Sequence, residues 1–201
     1  MLNRTKHKKF VHTLKNNTCI GIDLDGVVID HTRQFFLACK KRGFIFKPWQ
    51  VNTNVLGRFL PLNIYMAVKS DVYEKRRPHA LRMPGSLQTV RLLAKHIHVA
   101  SVQKQEESEK RLWTWLRKHK FLTCLNRRQF HIFRTRAQKL RFLKKLKPQV
   151  FIDDGLDVLK GLPHATRPIL FDPVGAYKHI KVSHGMVVAK SWREIRKLLM
   201  S

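Results

Sequence analysis

The sequence predicts an α/β fold, a parallel sheet with helices on both faces. Three observations carry this. Short apolar runs rich in β-branched residues recur along the chain, and each is followed by a segment whose apolar residues keep helical spacing. Two of these runs end abruptly in paired carboxylates, Asp23 with Asp25 and Asp153 with Asp154. The 201 residues are 43% hydrophobic, enough for a real core. No apolar stretch approaches the roughly 20 residues that a membrane span needs.

Residues 1–17 are a basic lead-in, expected to be disordered up to Lys9 and lacking a signal-peptide apolar core. Residues 18–25 read as the first strand, buried and closed by the Gly26 turn. Residues 30–42 read as a helix with Phe35, Phe36, Ala38 and Cys39 as its apolar residues, stopped by Gly43. Residues 44–83 hold aromatics and are punctuated by Pro48, Pro61 and Pro78, with helical pieces over 50–58 and 61–75. They read as a small helical insertion.

Pro84-Gly85 opens a helix with Leu87, Val90, Leu92 and Leu93 inward, and residues 96–101 form the next strand. His96 and His98 alternate on that strand without a third ligand nearby, so they read as its flank rather than a metal site. A helix over 105–119 turns Leu112, Trp113, Trp115 and Leu116 inward. Then come a strand at 130–133, a very basic helix at 136–146, a strand at 150–152 that ends in Asp153-Asp154-Gly155, and a short helix near 156–160. Strands at 168–171 and 186–189 follow. Ser191 caps the last helix, with Glu194 at the capping-box position. The domains are therefore the lead-in 1–17, a core of 18–30 with 84–201, and a helical cap of 31–83.

The charge is extreme: 41 Lys+Arg against 13 Asp+Glu, formally +28. Such a field draws polyanions and anionic metabolites but does not define a reaction. Cys19, Cys39 and Cys124 show neither metal nor disulfide spacing. They read as thiols of a reducing compartment, so a cytoplasmic location is the expectation. In a chain that otherwise avoids acids, four of the 13 stand in two pairs at the ends of apolar runs.

In a parallel sheet those strand ends share one edge, where ligands bind. Ser101 closes the second strand, and Lys139 stands fourteen residues before Asp153. Clustered carboxylates repel unless a cation sits among them, and hard oxygen ligands suit Mg²⁺. A hydroxyl and an ammonium beside it are donors for phosphoryl oxygens. One carboxylate can attack phosphorus, and one two residues on can serve as acid and base.

This set resembles the haloacid-dehalogenase-like (HAD) phosphohydrolase superfamily. The first motif is Ile20-Gly21-Ile22-Asp23-Leu24-Asp25-Gly26-Val27; Ser101 after Val99-Ala100 stands for the second, Lys139 for the third, and Phe151-Ile152-Asp153-Asp154 for the fourth. The resemblance covers about residues 18–200. It implies a Rossmann-like, HAD-like core with Asp23 as nucleophile and Asp25 as general acid and base. It also implies Mg²⁺ held by Asp23, the Asp25 carbonyl and one or both of Asp153 and Asp154, with Ser101 and Lys139 on the phosphoryl group. Further details resemble the 5'(3')-deoxyribonucleotidase-like branch: Asp25-Gly26-Val27-Val28 leading into the helical insertion, Met83-Pro84-Gly85, Trp115-Leu116 with His119, the run Pro168-Ile169-Leu170-Phe171-Asp172, and Ser191-Trp192-Arg193-Glu194-Ile195. Val102-Gln103-Lys104 departs from that branch, which has a small residue, Arg and Pro there.

The resemblance thus implies a Mg²⁺-dependent phosphomonoester hydrolase working through an aspartyl-phosphate. Its substrate would be a phosphorylated small molecule, a nucleoside monophosphate by the branch, with Phe44, Phe46 and Trp49 of the cap as candidates to stack the base. Two alternatives use the charge. One is a phosphatase on nucleic-acid ends, and the other a nucleic-acid-binding protein on the same scaffold. No membrane partner is expected.

Overall fold

The computed structural model describes residues 18–179 and 185–200. The basic lead-in 1–17 and its expected disorder lie outside them. Among the described residues, six strands form one all-parallel sheet: β1 (Ile20–Ile22), β4 (Ile97–Val102), β5 (Phe130–Phe133), β6 (Val150–Asp153), β7 (Arg167–Phe171) and β8 (Val187–Ala189). A separate two-stranded ribbon pairs β2 (Ile29–Asp30) with β3 (Leu81–Arg82). The sheet order is β5-β4-β1-β6-β7-β8. The chain leaves β1 toward β4 and β5, then crosses back to β6 on the other side. The C-terminal end of β1 is thus the switch point of the sheet.

The strands alternate faces with period two. Ile20, Ile22, Ile97, Val99, Val150, Ile152, Ile169 and Phe171 join one core. Helices α4 (Ser86–Leu92), α5 (Glu106–Lys118) and α8 (Trp192–Met200) pack on that side through Leu87, Val90, Trp115, Leu116, Trp192 and Ile195. Ala100, Phe151 and Leu170 face the other way, against α6 (Arg136–Leu146) and α7 (Leu156–Lys160). Gly21 belongs to this second face because a Cβ there would collide with the Phe151 ring.

Between β2 and β3 run α1 (Thr32–Lys40), α2 (Thr53–Leu56) and α3 (Leu62–Ser70). They bury their own cluster, including Phe35, Cys39, Leu56 and Val68. α3 continues into a π-helical turn, Asp71–Arg76, and then a 3₁₀ turn, Arg77–His79. No helix among the described residues is long and apolar enough to cross a membrane.

Several boundaries differ from the sequence expectation. The first strand stops at Ile22 instead of reaching residue 25. The N–H groups of Val27, Val28 and Ile29 all turn back to the Leu24 carbonyl, and Gly26 takes φ of 81° to allow it. The first helix starts at Thr32 because Asp30 ends β2 and accepts from Thr32 N–H. Leu92 is exposed while Leu93 is buried, since α4 ends at Leu92 and the 87/90/93 face excludes it. The last helix keeps Ser191 as cap, its Oγ accepting from Glu194 N–H at 3.2 Å. Glu194 reaches one residue further back than a capping box, to Lys190 N–H at 2.8 Å. Among the cysteines, Cys19 and Cys124 are half-buried, Cys39 is buried, and all three are free.

Candidate active site

Strand register builds the site. Ile22 pairs with Ile152, so Asp23, one residue beyond the end of β1, comes up beside Asp153, the last residue of β6. Ser101 lies one residue from the end of β4, in register with Ile132. α6 begins at a capping box, with Thr135 as cap and Gln138 as its partner. That start places Lys139 one turn into the helix, fully buried against the strand ends.

Lys139 Nζ lies 3.0 Å from Asp23 Oδ1 and 2.8 Å from Asp153 Oδ2. The other Asp153 oxygen accepts from Gly155 N–H at 2.7 Å. Asp154 is held from two sides. Asn54 of α2 donates to its Oδ2 at 2.9 Å and to its carbonyl at 3.0 Å, and the Tyr177 hydroxyl donates to the same carbonyl at 2.7 Å. Gly26 also bears on it, because a Cβ at that position would strike the Asp154 carboxylate.

Asp25 sits in a different set of partners. His31 Nε2 lies 2.7 Å from its Oδ1, while Arg77 Nη2 at 3.0 Å and Gln103 Nε2 at 2.9 Å both donate to its Oδ2. Arg77 Nη1 in turn donates to Gln103 Oε1 at 2.6 Å, and Gln103 Nε2 lies 3.2 Å from Ser101 Oγ. The floor residues Asp23, Asp25, Ser101, Lys139, Asp153 and Asp154 line one cavity of about 290 Å³.

The electrostatics separate the two carboxylates of the first motif. Burial pushes Asp23 up to about 7, against the pull of Lys139, with Asp153 and Asp25 adding to the rise. Asp154 is driven well above the usual carboxylate range by burial and then by its neighbours Asp153 and Asp23. Burial would raise Asp25 too, yet the Arg77 charge and the His31 and Gln103 bonds outweigh it and hold Asp25 low.

The donor set fits a divalent cation. Asp23, Asp153 and Asp154 each present an oxygen, and these oxygens lie within 4.8 Å of one another. One lysine does not balance three buried carboxylates, so their mutual repulsion adds to burial in raising Asp23 and Asp154. Hard oxygens and a compact pocket suit Mg²⁺. Both oxygens of Asp25 are engaged by His31, Arg77 and Gln103, so its carbonyl alone is left for such an ion.

All six core residues named from the sequence are brought together. Phe44, Phe46 and Trp49 are not. Phe44 and Phe46 stack on each other and, half-buried, cover the helical cluster, while Trp49 packs edge-on against Phe59. Phe44 and Phe46 pack on the outside of that cluster, over buried residues such as Phe35, Val51 and Leu56. The insertion reaches the cavity instead through Asn54, Lys69, Tyr73 and Arg77. In sequence Tyr73 is one aromatic of the insertion among several, and Asn54, Lys69 and Arg77 carry no signal of their own, being polar residues in a basic stretch. Gln103 stood out only as a departure from a related pattern. His96 bonds the Thr18 carbonyl, and His98 stacks on His131 from β5, a neighbour that spacing along the chain could not show.

No protein-family model matches the sequence, and no curated protein sequence matches it. Solved structures do. A candidate phosphoglycolate phosphatase from Lactobacillus plantarum superposes with a TM-score of 0.57 at 15% identity, over 90% of this chain and 99% of that one. A haloacid dehalogenase-like family hydrolase from Streptococcus pneumoniae gives 0.56 at 11%, over 90% and 97%. A candidate HAD-hydrolase from Bacillus subtilis, solved bound to magnesium, gives 0.56 at 11%, over 92% and 99%. Sheet order, strand-end carboxylates and these superpositions agree: the chain has the haloacid-dehalogenase-like α/β fold.

Proposed function

We propose that the protein is a Mg²⁺-dependent phosphomonoester hydrolase that works through an aspartyl-phosphate on Asp23. The observation that carries this reading is Asp23 at the switch point, bridged to Asp153 by buried Lys139, with Asp25 held separately two residues on. Lys139 engages Asp23 Oδ1 and leaves Oδ2 to attack phosphorus. The Asp23–phosphorus bond forms as the ester oxygen leaves with a proton from Asp25. Water then attacks phosphorus, Asp25 takes its proton, and Asp23 is released with inorganic phosphate.

Arg77 keeps Asp25 ionised at rest; as Arg77 loosens from Oδ2, Asp25 takes a proton from solvent, gives it to the leaving ester oxygen, and is then ionised again for the second step. Ser101 Oγ and Lys139 Nζ hold phosphoryl oxygens. Asp23, Asp153 and Asp154 with the Asp25 carbonyl would hold Mg²⁺, whose positive charge offsets that of the phosphoryl oxygens. The helical segment between β2 and β3 acts as the cap, closing over the site through Asn54 and Arg77.

A nucleoside monophosphate is the substrate we assign within this class. The charge of +28 favours a second reading, a phosphorylated nucleic-acid end held by the basic surface. Phosphate release with Mg²⁺ is measured on nucleoside monophosphates and on 3'- and 5'-phosphorylated oligonucleotides. Turnover is expected, with roughly a 10³-fold or greater loss in Asp23→Asn. Silence on every phosphomonoester sinks the proposal.

A further inference from the structure

The charges lining the cavity divide into two zones. On the floor, Asp23, Asp25, Asp153 and Asp154 face Arg77 and Lys139, and every one of these groups is engaged with its neighbours. Further out, Lys69 from α3, Lys104 from the loop after β4, and Arg136 from the first turn of α6 line the same cavity. Glu74 is the carboxylate among them, and it accepts from the Ser70 hydroxyl at 2.8 Å.

Among the described residues no carboxylate lies within ion-pair distance of Lys69 or Lys104. Lys69 Nζ rests over the Tyr65 ring, 5.2 Å from its centroid. Arg136 meets Asp157 at 3.6 Å, with both side chains more than half exposed, a contact that holds it weakly.

Lys69 and Arg136 come from opposite walls, the helical cap and the sheet core. Burial lowers the Lys69 ammonium, and the charge of Arg136 lowers it further. Lys69, Lys104 and Arg136 line the cavity with Glu74 as the carboxylate beside them, and this excess of positive charge is one that an anion would relieve.

We propose that Lys69, Arg136 and Lys104 form a second anion subsite. It takes a further phosphate or phosphodiester carried by the same substrate whose terminal phosphate sits on the floor. This rests on the phosphohydrolase reading for the identity of the floor ligand. The chemistry is shared by two sources, the second phosphate of a nucleoside bisphosphate and the first phosphodiester of a 5'-phosphorylated oligonucleotide.

The test is equilibrium binding to the Asp23→Asn protein with Mg²⁺ present, by calorimetry, so that turnover is not needed. The probes are adenosine 5'-monophosphate, adenosine 3',5'-bisphosphate and a 5'-phosphorylated trinucleotide. A doubly anionic probe is expected to bind about tenfold tighter than the monophosphate. Adding Lys69→Gln and Arg136→Gln should shrink that ratio to about twofold or less. Removing two charges on the exposed face of α6 instead, with Arg141→Gln and Lys144→Gln, should preserve it, which separates a subsite from bulk charge.

Preference for the bisphosphate assigns a small metabolite, and preference for the trinucleotide assigns a nucleic-acid end. Equal affinity for all three probes overturns the subsite, as does a ratio that survives Lys69→Gln with Arg136→Gln. The phosphohydrolase reading fails separately, if the Asp23 protein releases phosphate from none of these probes.

Discussion

Asp25 accepts from His31, Arg77 and Gln103 at once, and the three donors come from the N-cap of α1, the 3₁₀ turn Arg77–His79 and the residue after β4. Arg77 is almost fully buried, so removing its charge strands Asp25 without its main counter-ion. Arg77→Met should cost about 3 kcal/mol in urea unfolding, and clearly less when Asp25 is already Asn. Equal costs in both backgrounds would show that the pair is not coupled. Asp23 yields a second prediction. Its folded value, about 7, lies above the ordinary carboxylate value near 3.9. A raised carboxyl contributes stability that is fully present below the unfolded value and is lost as pH rises through the folded one. Metal-free protein should therefore melt at a lower temperature at about pH 8 than at about pH 5, and Asp154 acts in the same direction. Mg²⁺ should raise the melting temperature more at the higher pH, where the carboxylates have shed their protons. A metal shift independent of pH would contradict this assignment of charge.

At the scale of elements, α2 is a single short turn whose significance lies in Asn54. Its cap residue, Asn52, accepts from Asn54 N–H, which sets the turn and aims the Asn54 amide at Asp154. A helix residue that bonds a proposed metal ligand ties the helical segment to the floor. Asn54→Ala should weaken Mg²⁺ binding by roughly tenfold, read by calorimetry, because a partner that orients a ligand is lost. Unchanged affinity would reduce the bond to a packing detail. The long elements were legible in sequence: α5 and α6 lie within a residue of where their helices were expected, and β6 ends at its carboxylates. The β2–β3 ribbon was not, since two-residue strands carry no periodicity, and the pairing of Ile29 with Arg82 spans the whole insertion.

For the molecule as a whole, the formal charge of +28 sets how it meets its substrate. A polymer held by several cations releases counterions, so its turnover should fall steeply between about 50 and 200 mM salt. Free nucleoside monophosphate, bound through the floor, should depend on salt far less. Similar slopes for both would place the polymer outside the productive contacts.

Composition, spacing and chain order were enough to place Asp23, Asp25, Ser101, Lys139, Asp153 and Asp154 on one sheet edge. Each stands at a strand end or one helical turn in, and parallel pairing gathers such ends by geometry alone. The aromatic residues of the insertion left two readings open in sequence, because a ring that closes a small core and one that greets a ligand look alike there. Phe44, Phe46 and Trp49 went to packing, while Arg77, Gln103, Asn54 and Lys69 went to the cavity. Arg77, Gln103 and Asn54 meet Asp25, each other or Asp154 across 26 to 100 residues of chain, as with Arg77 to Gln103 and Asn54 to Asp154. Local pattern holds no record of such distances. Burial of the insertion against the sheet edge is what chooses which polar side chains meet the carboxylates.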